Sequence, residues 1–137
     1  MSRVSKQLLS LDVGERRIGV AVADTVIRIP VALETIEVDG SELTAIAKIV
    51  TLDNIDTIVV GYPRNQSGEP TAQTTYVLQF AQQLKDMAPV VFQDESLTSV
   101  IAEQQLKADK RPYTKGDIDA RAATLILQDY LEIHHAA

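Results

Sequence analysis

Three acidic residues occupy positions where burying a carboxylate costs free energy. A carboxylate at such a position often has a chemical role. Asp12 and Glu95 each follow a short apolar run, and Asp119 lies on the apolar face of the last predicted helix. An isolated carboxylate beside a core costs on the order of several kcal/mol unless it is paired, protonated or metal-bound. Three converging carboxylates would repel one another, and a divalent cation relieves that repulsion. Because carboxylate-held cations commonly serve phosphate chemistry, the sequence predicts a metal-dependent phosphodiesterase.

Each acid also has a simpler interpretation. Asp12 precedes Gly14 at the end of a predicted strand, where ligands bind and a glycine admits close approach, but an Asx-turn fits equally well. Glu95 is the favoured ligand of the Asp94–Glu95 pair, although both acids could stabilise the start of the next helix. Asp119 could be an ordinary acid in the first turn of a helix. The residues that share its helix face are apolar, however, which favours the interpretation of Asp119 as a site residue.

Basic and polar residues near these acids are candidates for binding nucleic acid. They are Arg16, Arg17, Arg64, Asn65, Lys110, Arg111 and Lys115. A solvated surface is the alternative for the 107–115 group, and a plain surface loop is the alternative for 61–70. Side chains of these types contact the phosphate backbone, whereas no base-reading device is visible, so we expect recognition by shape.

Composition limits the classes of function. The chain has 137 residues, enough for one domain (1–137), and 45% of them are hydrophobic. It has no cysteine, which excludes disulfides and thiolate metal sites. A net charge of −6 counts against whole-molecule attraction to nucleic acid but permits a local basic patch. Without a long apolar segment we expect no membrane association, no signal peptide and a cytoplasmic protein, either monomeric or homodimeric.

The elements that must position the acids follow from the apolar pattern. The order is β-β-β-α-β-α-β-α-α, a three-strand antiparallel meander followed by helices alternating with two parallel strands. The predicted strands are 8–13, 18–23, 27–36, 57–60 and 90–92, the third being an edge strand around Pro30. Helices are predicted from the Ser41 N-cap to Val50, and over 71–85, 98–107 and 117–133, with Thr114 and Asp117 in capping-box spacing. This order predicts a five-stranded mixed sheet flanked by helices, in the α/β class.

Four segments in this order carry a specific resemblance. They are 12–21 (DVGERRIGVA), 59–63 (VVGYP, followed by Asn65 and Gly68), 94–99 (DESLTS) and 115–120 (KGDIDA, followed by apolar residues up to 127). Together they resemble the YqgF family, also described as Holliday-junction-resolvase-like proteins and pre-16S rRNA nucleases. The resemblance covers nearly the whole chain.

This resemblance implies an RNase H-like fold and a nuclease dependent on Mg²⁺ or Mn²⁺ that acts on RNA or branched DNA. It also implies a role in maturing the 5′ end of 16S rRNA. By motif match, the catalytic and metal-binding acids fall on Asp12, Glu95 and Asp119. Ser96 stands where the family commonly has Arg, which bears on catalytic strength or substrate preference. Tyr62 stands where the family often has Leu, and the change looks tolerable.

Two other functions remain open. A non-catalytic binder of nucleic acid or of ribosome-assembly intermediates would fit Ser96 and the acidic pI. A nucleotide-binding ATPase would fit the D-x-G hairpin, which also opens the actin and sugar-kinase fold, but that class needs two such domains.

Overall fold

The computed structural model describes residues 4–63, 69–95 and 98–135. Within these ranges the chain forms six strands and four helices. The strands are β1 (Gln7–Val13), β2 (Arg17–Asp24), β3 (Val31–Ala32), β4 (Ile36–Glu37), β5 (Thr57–Tyr62) and β6 (Val90–Asp94). The helices are α1 (Glu42–Leu52), α2 (Ala72–Gln82), α3 (Thr98–Ala108) and α4 (Lys115–His134). None of these helices is long and apolar enough to cross a membrane.

The strands form one mixed sheet in the order β3-β2-β1-β5-β6, and β4 also pairs with β2. β1 and β2 are antiparallel, whereas β1, β5 and β6 are parallel to one another. The carboxyl ends of β1, β5 and β6 therefore meet at one edge of the sheet. The predicted α/β class and the mixed antiparallel and parallel sheet are confirmed.

The sheet is covered on both faces, and each face has its own core. On one face, residues such as Leu9, Leu11 and Val60 pack with residues of α1 and α2. On the other, Leu8, Ala21 and Val59 pack with Ala123, Ile126, Leu127 and Leu131 of α4. The alternation of side chains along each strand assigns every strand residue to one of these two faces.

The third predicted strand is wrong in its extent. Instead of one strand over 27–36, the structure has the two-residue strands β3 and β4, both paired with β2, so the sheet has six strands. The Asp24 carboxylate accepts hydrogen bonds from the amides of Val26 and Ile27 at 2.6 and 3.0 Å, which turns the chain after β2. Arg28 then has a φ of 65°. A turn and a left-handed residue there prevent a continuous strand.

The N-terminal caps of α4 and α1 can be compared with the caps that the sequence predicts. At α4 the Thr114 hydroxyl accepts from the Asp117 amide at 3.1 Å, and the Asp117 carboxylate accepts from the Thr114 amide at 2.8 Å, which confirms the capping box. At α1, Ser41 is the N-cap residue as predicted, but its side chain makes no capping bond. Its hydroxyl donates instead to Asp39 at 2.6 Å. The position of a cap is therefore easier to predict than its hydrogen bond.

Candidate functional site

The third acid reaches the sheet because α4 lies unusually close to β2. A Cβ on Gly19 would overlap the backbone carbonyl of Asp119 and would lie 3.2 Å from the Ala120 nitrogen. Farther along α4, the buried Ser10 hydroxyl donates to the Ala123 carbonyl at 2.7 Å. Glycine and serine on this face leave room for the helix backbone itself, so the first turns of α4 are pressed onto the hairpin.

Strand register places Asp12 beside this contact. Asp12 on β1 is directly opposite Gly19 on β2. Residues that face each other across an antiparallel pair project to the same side of the sheet. Because the Asp119 backbone covers Gly19 on that side, the Asp12 side chain projects toward the first turns of α4.

Glu95 joins the site from the neighbouring parallel strands. It directly follows β6, and its amide donates to the Tyr62 carbonyl at 3.2 Å. A Cβ on Gly61 would lie 2.8 Å from Glu95 Oε2 and 2.7 Å from Ile126 Cδ1. The Glu95 carboxylate therefore lies over Gly61, on the α4 face, where any larger residue would displace it.

The pKa of Asp12 reflects the proximity of Glu95 and Asp119. Burial raises the pKa of the Asp12 carboxyl from 3.8 to about 6; a hydrogen bond with Glu95 opposes this rise, and the charge of Asp119 adds to it. A hydrogen bond between two carboxyl groups requires that one of them carry the proton. The structure therefore brings together the three predicted acids, from β1, from the end of β6 and from α4.

Arg17 neutralises one of the three acids. Its Nε donates to Asp119 Oδ2 at 2.9 Å, and the two side chains are 27% and 22% exposed. Arg17 lies two residues before Gly19 on β2, so it projects to the same face. In the described ranges, no three His, Asp or Glu side chains are arranged at metal-ligand spacing. The donor set itself suits a hard cation, since it consists of carboxylate oxygens, but the Asp119 carboxylate is paired with Arg17.

The other predicted nucleic-acid contacts are more dispersed. Arg16 is exposed in the β1–β2 turn, next to Arg17. Lys110 and Arg111 are exposed in the loop between α3 and α4, and Lys115 is exposed at the first residue of α4, four residues before Asp119. The predictions for Arg64 and Asn65, and the substitution at Ser96, fall outside the described residues.

Sequence reasoning missed an aromatic pair at the same edge of the sheet. The rings of Tyr62, the last residue of β5, and Phe92, on β6, have centroids 5.8 Å apart and planes at 79°. Phe92 is 40% exposed. Predicting the pair would have required the parallel register of β5 and β6, which a single sequence does not reveal. The glycines at 19 and 61 did carry a signal, because glycine within a strand often marks close approach of another backbone.

Comparison with known proteins gives consistent results for sequence and fold. A family model described as "RuvX: Holliday junction resolvase" matches residues 6–133. A protein of Chloroflexus aurantiacus named "Putative pre-16S rRNA nuclease" is 46% identical over 132 residues, covering 91% of this chain and 86% of that protein. A relative of the same name from Synechocystis sp. is 39% identical, covering 93% of this chain and 88% of that protein.

Two solved structures share the fold at low sequence identity. RuvC of T. thermophilus, in complex with a Holliday junction substrate, has a TM-score of 0.55 at 12% identity, covering 93% of this chain and 94% of that chain. The fowlpox virus resolvase, in complex with Holliday junction DNA, has a TM-score of 0.53 at 13% identity, covering 93% of this chain and 97% of that chain. At this identity the likeness shows the fold, which is that of the RuvC-like, RNase H-like resolvases.

Proposed function

Because this chain belongs to the RuvX family of Holliday-junction-resolvase-like proteins, we propose that it is a metal-dependent nuclease with Asp12, Glu95 and Asp119 at its catalytic centre. One observation carries the assignment of the site: the Asp12 carboxyl is hydrogen-bonded to Glu95 and within electrostatic reach of Asp119. Three separate elements supply these acids, and nothing in the packing of the two cores requires carboxylates there.

The names of the relatives favour the precursor of 16S rRNA as the substrate. We propose that it is cleaved near its 5′ end, as the family resemblance implies. A role in rRNA maturation would place the protein in the cytoplasm. We propose that it acts there as a monomer or a homodimer. Branched DNA is the second candidate, since the family description names the Holliday junction. Cleavage of a precursor rRNA fragment and of a four-way DNA junction, measured side by side, separates the two.

The residues of the chain have distinct tasks in this proposal. Mg²⁺ or Mn²⁺, held by Asp12, Glu95 and Asp119, would supply activation of water and stabilisation of the leaving oxygen. Arg17 neutralises Asp119 and, when released, would stand beside the anionic substrate with Arg16. Lys115, at the start of α4, adds a positive charge on the approach to Asp119. Together with Arg64, Asn65, Lys110 and Arg111, these groups would hold the backbone of the nucleic acid.

Cleavage assays test the assignment. We expect Mn²⁺-dependent cleavage by the wild type, and a loss of at least about a hundredfold for Asp12→Asn and Asp119→Asn. Asp129→Asn is the matched control, because Asp129 is an exposed acid farther along the same helix as Asp119. Full activity of Asp12→Asn would refute the site, whereas equal losses in all three variants would point to a general loss of folding and not to chemistry.

The alternative of a non-catalytic binder also rests on an observation. Asp119 is paired with Arg17, and the described residues contain no ready-made ligand group. Binding of Mn²⁺ to the wild type, followed by its electron paramagnetic resonance signal, distinguishes the two functions. A nuclease of the proposed kind binds Mn²⁺ at the three acids, and Asp12→Asn abolishes that binding. In a non-catalytic binder of nucleic acid, Mn²⁺ binding does not depend on Asp12.

A further inference from the structure

Arg17 is attached to Asp119 by one hydrogen bond. Its Nε donates to Asp119 Oδ2 at 2.9 Å, and within the described ranges the two terminal nitrogens of the guanidinium donate to no acceptor. An arginine that pairs with a carboxylate through two parallel hydrogen bonds is held more firmly. A stronger ligand of Asp119, such as a divalent cation, can therefore displace Arg17.

A second carboxylate lies next to Arg17 on the same face of the sheet. Glu37 of β4 is directly opposite Arg17 of β2. The Val38 amide donates to the Arg16 carbonyl at 2.9 Å, which makes Arg17 and Glu37 a non-hydrogen-bonded pair, the closer of the two kinds of antiparallel pair. The Cβ atoms of such residues are about 4.5–5.5 Å apart. The guanidinium can therefore reach Glu37 by side-chain rotation alone.

Glu37 is available for this contact. Its side chain is exposed, and in the part of the chain that the structure describes its carboxylate has no hydrogen bond or ion pair. The preceding residue, Ile36, packs in the α1–α2 core, so Glu37 projects to the α4 face. Thr35 donates to the Gly116 carbonyl at 2.9 Å, which fixes this segment to the first turn of α4. Glu37 is thus beside the site without being one of its three acids.

Resting on the proposed function, which brings a divalent cation to the three acids, we propose that Arg17 is a positioning residue with two alternative partners. Without the cation, Arg17 pairs with Asp119 and reduces the repulsion among the acids. A guanidinium and a divalent cation on one carboxylate repel each other, so the bound cation drives Arg17 to Glu37. Glu37 therefore favours cation binding although it does not contact the cation.

A double-mutant cycle on Mn²⁺ binding, followed by electron paramagnetic resonance, tests the proposal. The variants are Arg17→Gln, Glu37→Gln and the two together, each as the full chain. Glu34→Gln is the matched control, because Glu34 is an exposed acid of the same segment that is not in register with Arg17. Thermal melting verifies that every variant is folded.

We expect Glu37→Gln to weaken Mn²⁺ binding roughly two- to fivefold, the range that an exposed ion pair supplies, and Glu34→Gln to change it less than about twofold. In the Arg17→Gln background, Glu37→Gln should have no more effect than the control, because no guanidinium then needs a second partner. Equal weakening by Glu37→Gln in both backgrounds would overturn the proposal, since Glu37 would then act on the cation directly. The absence of any effect in the wild type would overturn it as well.

The Nε–H resonance of Arg17 gives a second readout. It is assigned in a proton–nitrogen correlation spectrum by its absence in Arg17→Gln, and Mg²⁺ is the diamagnetic probe. Without Mg²⁺ the resonance should be alike in the wild type and in Glu37→Gln, and with Mg²⁺ the two should differ, because only the wild type has the second partner. Identical titrations of both proteins would refute the movement of Arg17.

Failure of the proposed function has a different signature. The wild type then shows no Mn²⁺ binding that Asp12→Asn removes. If only the role of Arg17 is wrong, binding that depends on Asp12 is present, but the substitutions at positions 17 and 37 act independently of each other.

Discussion

Replacing Asp12 by Asn should make the metal-free protein more stable at neutral pH. Burial raises the pKa of Asp12 to about 6, compared with 3.8 in the unfolded chain. A raised folded-state pKa means that the folded protein prefers the protonated acid, so stability is lost as the pH rises from about 4 through about 6. A shift of about two units corresponds to about 3 kcal/mol at pH 7.5. Asparagine is neutral at every pH and avoids this loss.

Urea denaturation in EDTA measures the effect. We expect Asp12→Asn to raise the free energy of unfolding by up to about 3 kcal/mol at pH 7.5, which moves the urea midpoint by on the order of 1–2 M. At pH 4 the advantage should fall below about 1 kcal/mol, because Asp12 of the wild type is then protonated in the folded state and only partly ionised in the unfolded chain, whose pKa is 3.8. Added Mn²⁺ should stabilise the wild type and not the variant, and the difference between their free energies of unfolding should therefore become smaller.

Two outcomes would refute this reasoning. If Asp12→Asn is no more stable than the wild type at pH 7.5 without metal, the carboxylate is not strained by its surroundings. If the gain is the same at pH 4 and pH 7.5, the substitution acts through packing and not through charge. A stable but inactive variant, in contrast, is what a site that trades stability for chemistry should produce.

Three other substitutions have clear expected results. Arg17→Gln should raise Mn²⁺ affinity severalfold in a titration, because it removes the cation that competes for Asp119; unchanged or lower affinity would show that the ion pair does not oppose metal binding. Gly61→Ala should cost about 1–3 kcal/mol in urea denaturation and reduce cleavage, since its Cβ would lie 2.8 Å from the Glu95 carboxylate; a fully active, stable variant would contradict the contact. Asp24→Asn should destabilise above pH 4, because hydrogen bonds from Ser5 and from the amides of Ile27 and Val26 hold the pKa of Asp24 near 2. That stability is present above the unfolded pKa and lost as the pH falls toward 2, which a pH series of melting curves checks.

Much of the scaffold was predictable because its signals are local. Apolar runs predicted β1, β5 and β6, although the actual strands extend one or two residues further, and a capping box predicted the start of α4. The third predicted strand was wrong because the Asp24 turn and the φ of Arg28 depend on hydrogen-bond geometry that alternation does not express. The three acids were also identifiable as candidate site residues, because two of them end predicted strands and the third lies on the apolar face of a predicted helix. Their catalytic roles remain a prediction.

What could not be predicted depends on pairing between distant segments. The placement of Asp119 requires the register that sets Asp12 opposite Gly19, and its partner Arg17 follows from the same hairpin. The sequence alone predicts Arg17 only as a contact for nucleic acid. The Tyr62–Phe92 pair similarly requires the parallel register of β5 and β6. Such pairings are properties of the assembled sheet and leave little trace in either strand alone.

The close contact between Gly19 and α4 has a consequence for the order of events during synthesis. Asp12 and Asp119 are 107 positions apart, taking 12 from 119. Chains emerge from the ribosome N-terminal end first, so β1 and β2 are exposed long before α4 is made. If Asp119 is a catalytic acid as proposed, an unfinished chain lacks it, and cleavage would begin only once α4 has been made and has packed on the hairpin. The proposed nuclease would then be inactive towards RNA until its own synthesis is nearly complete.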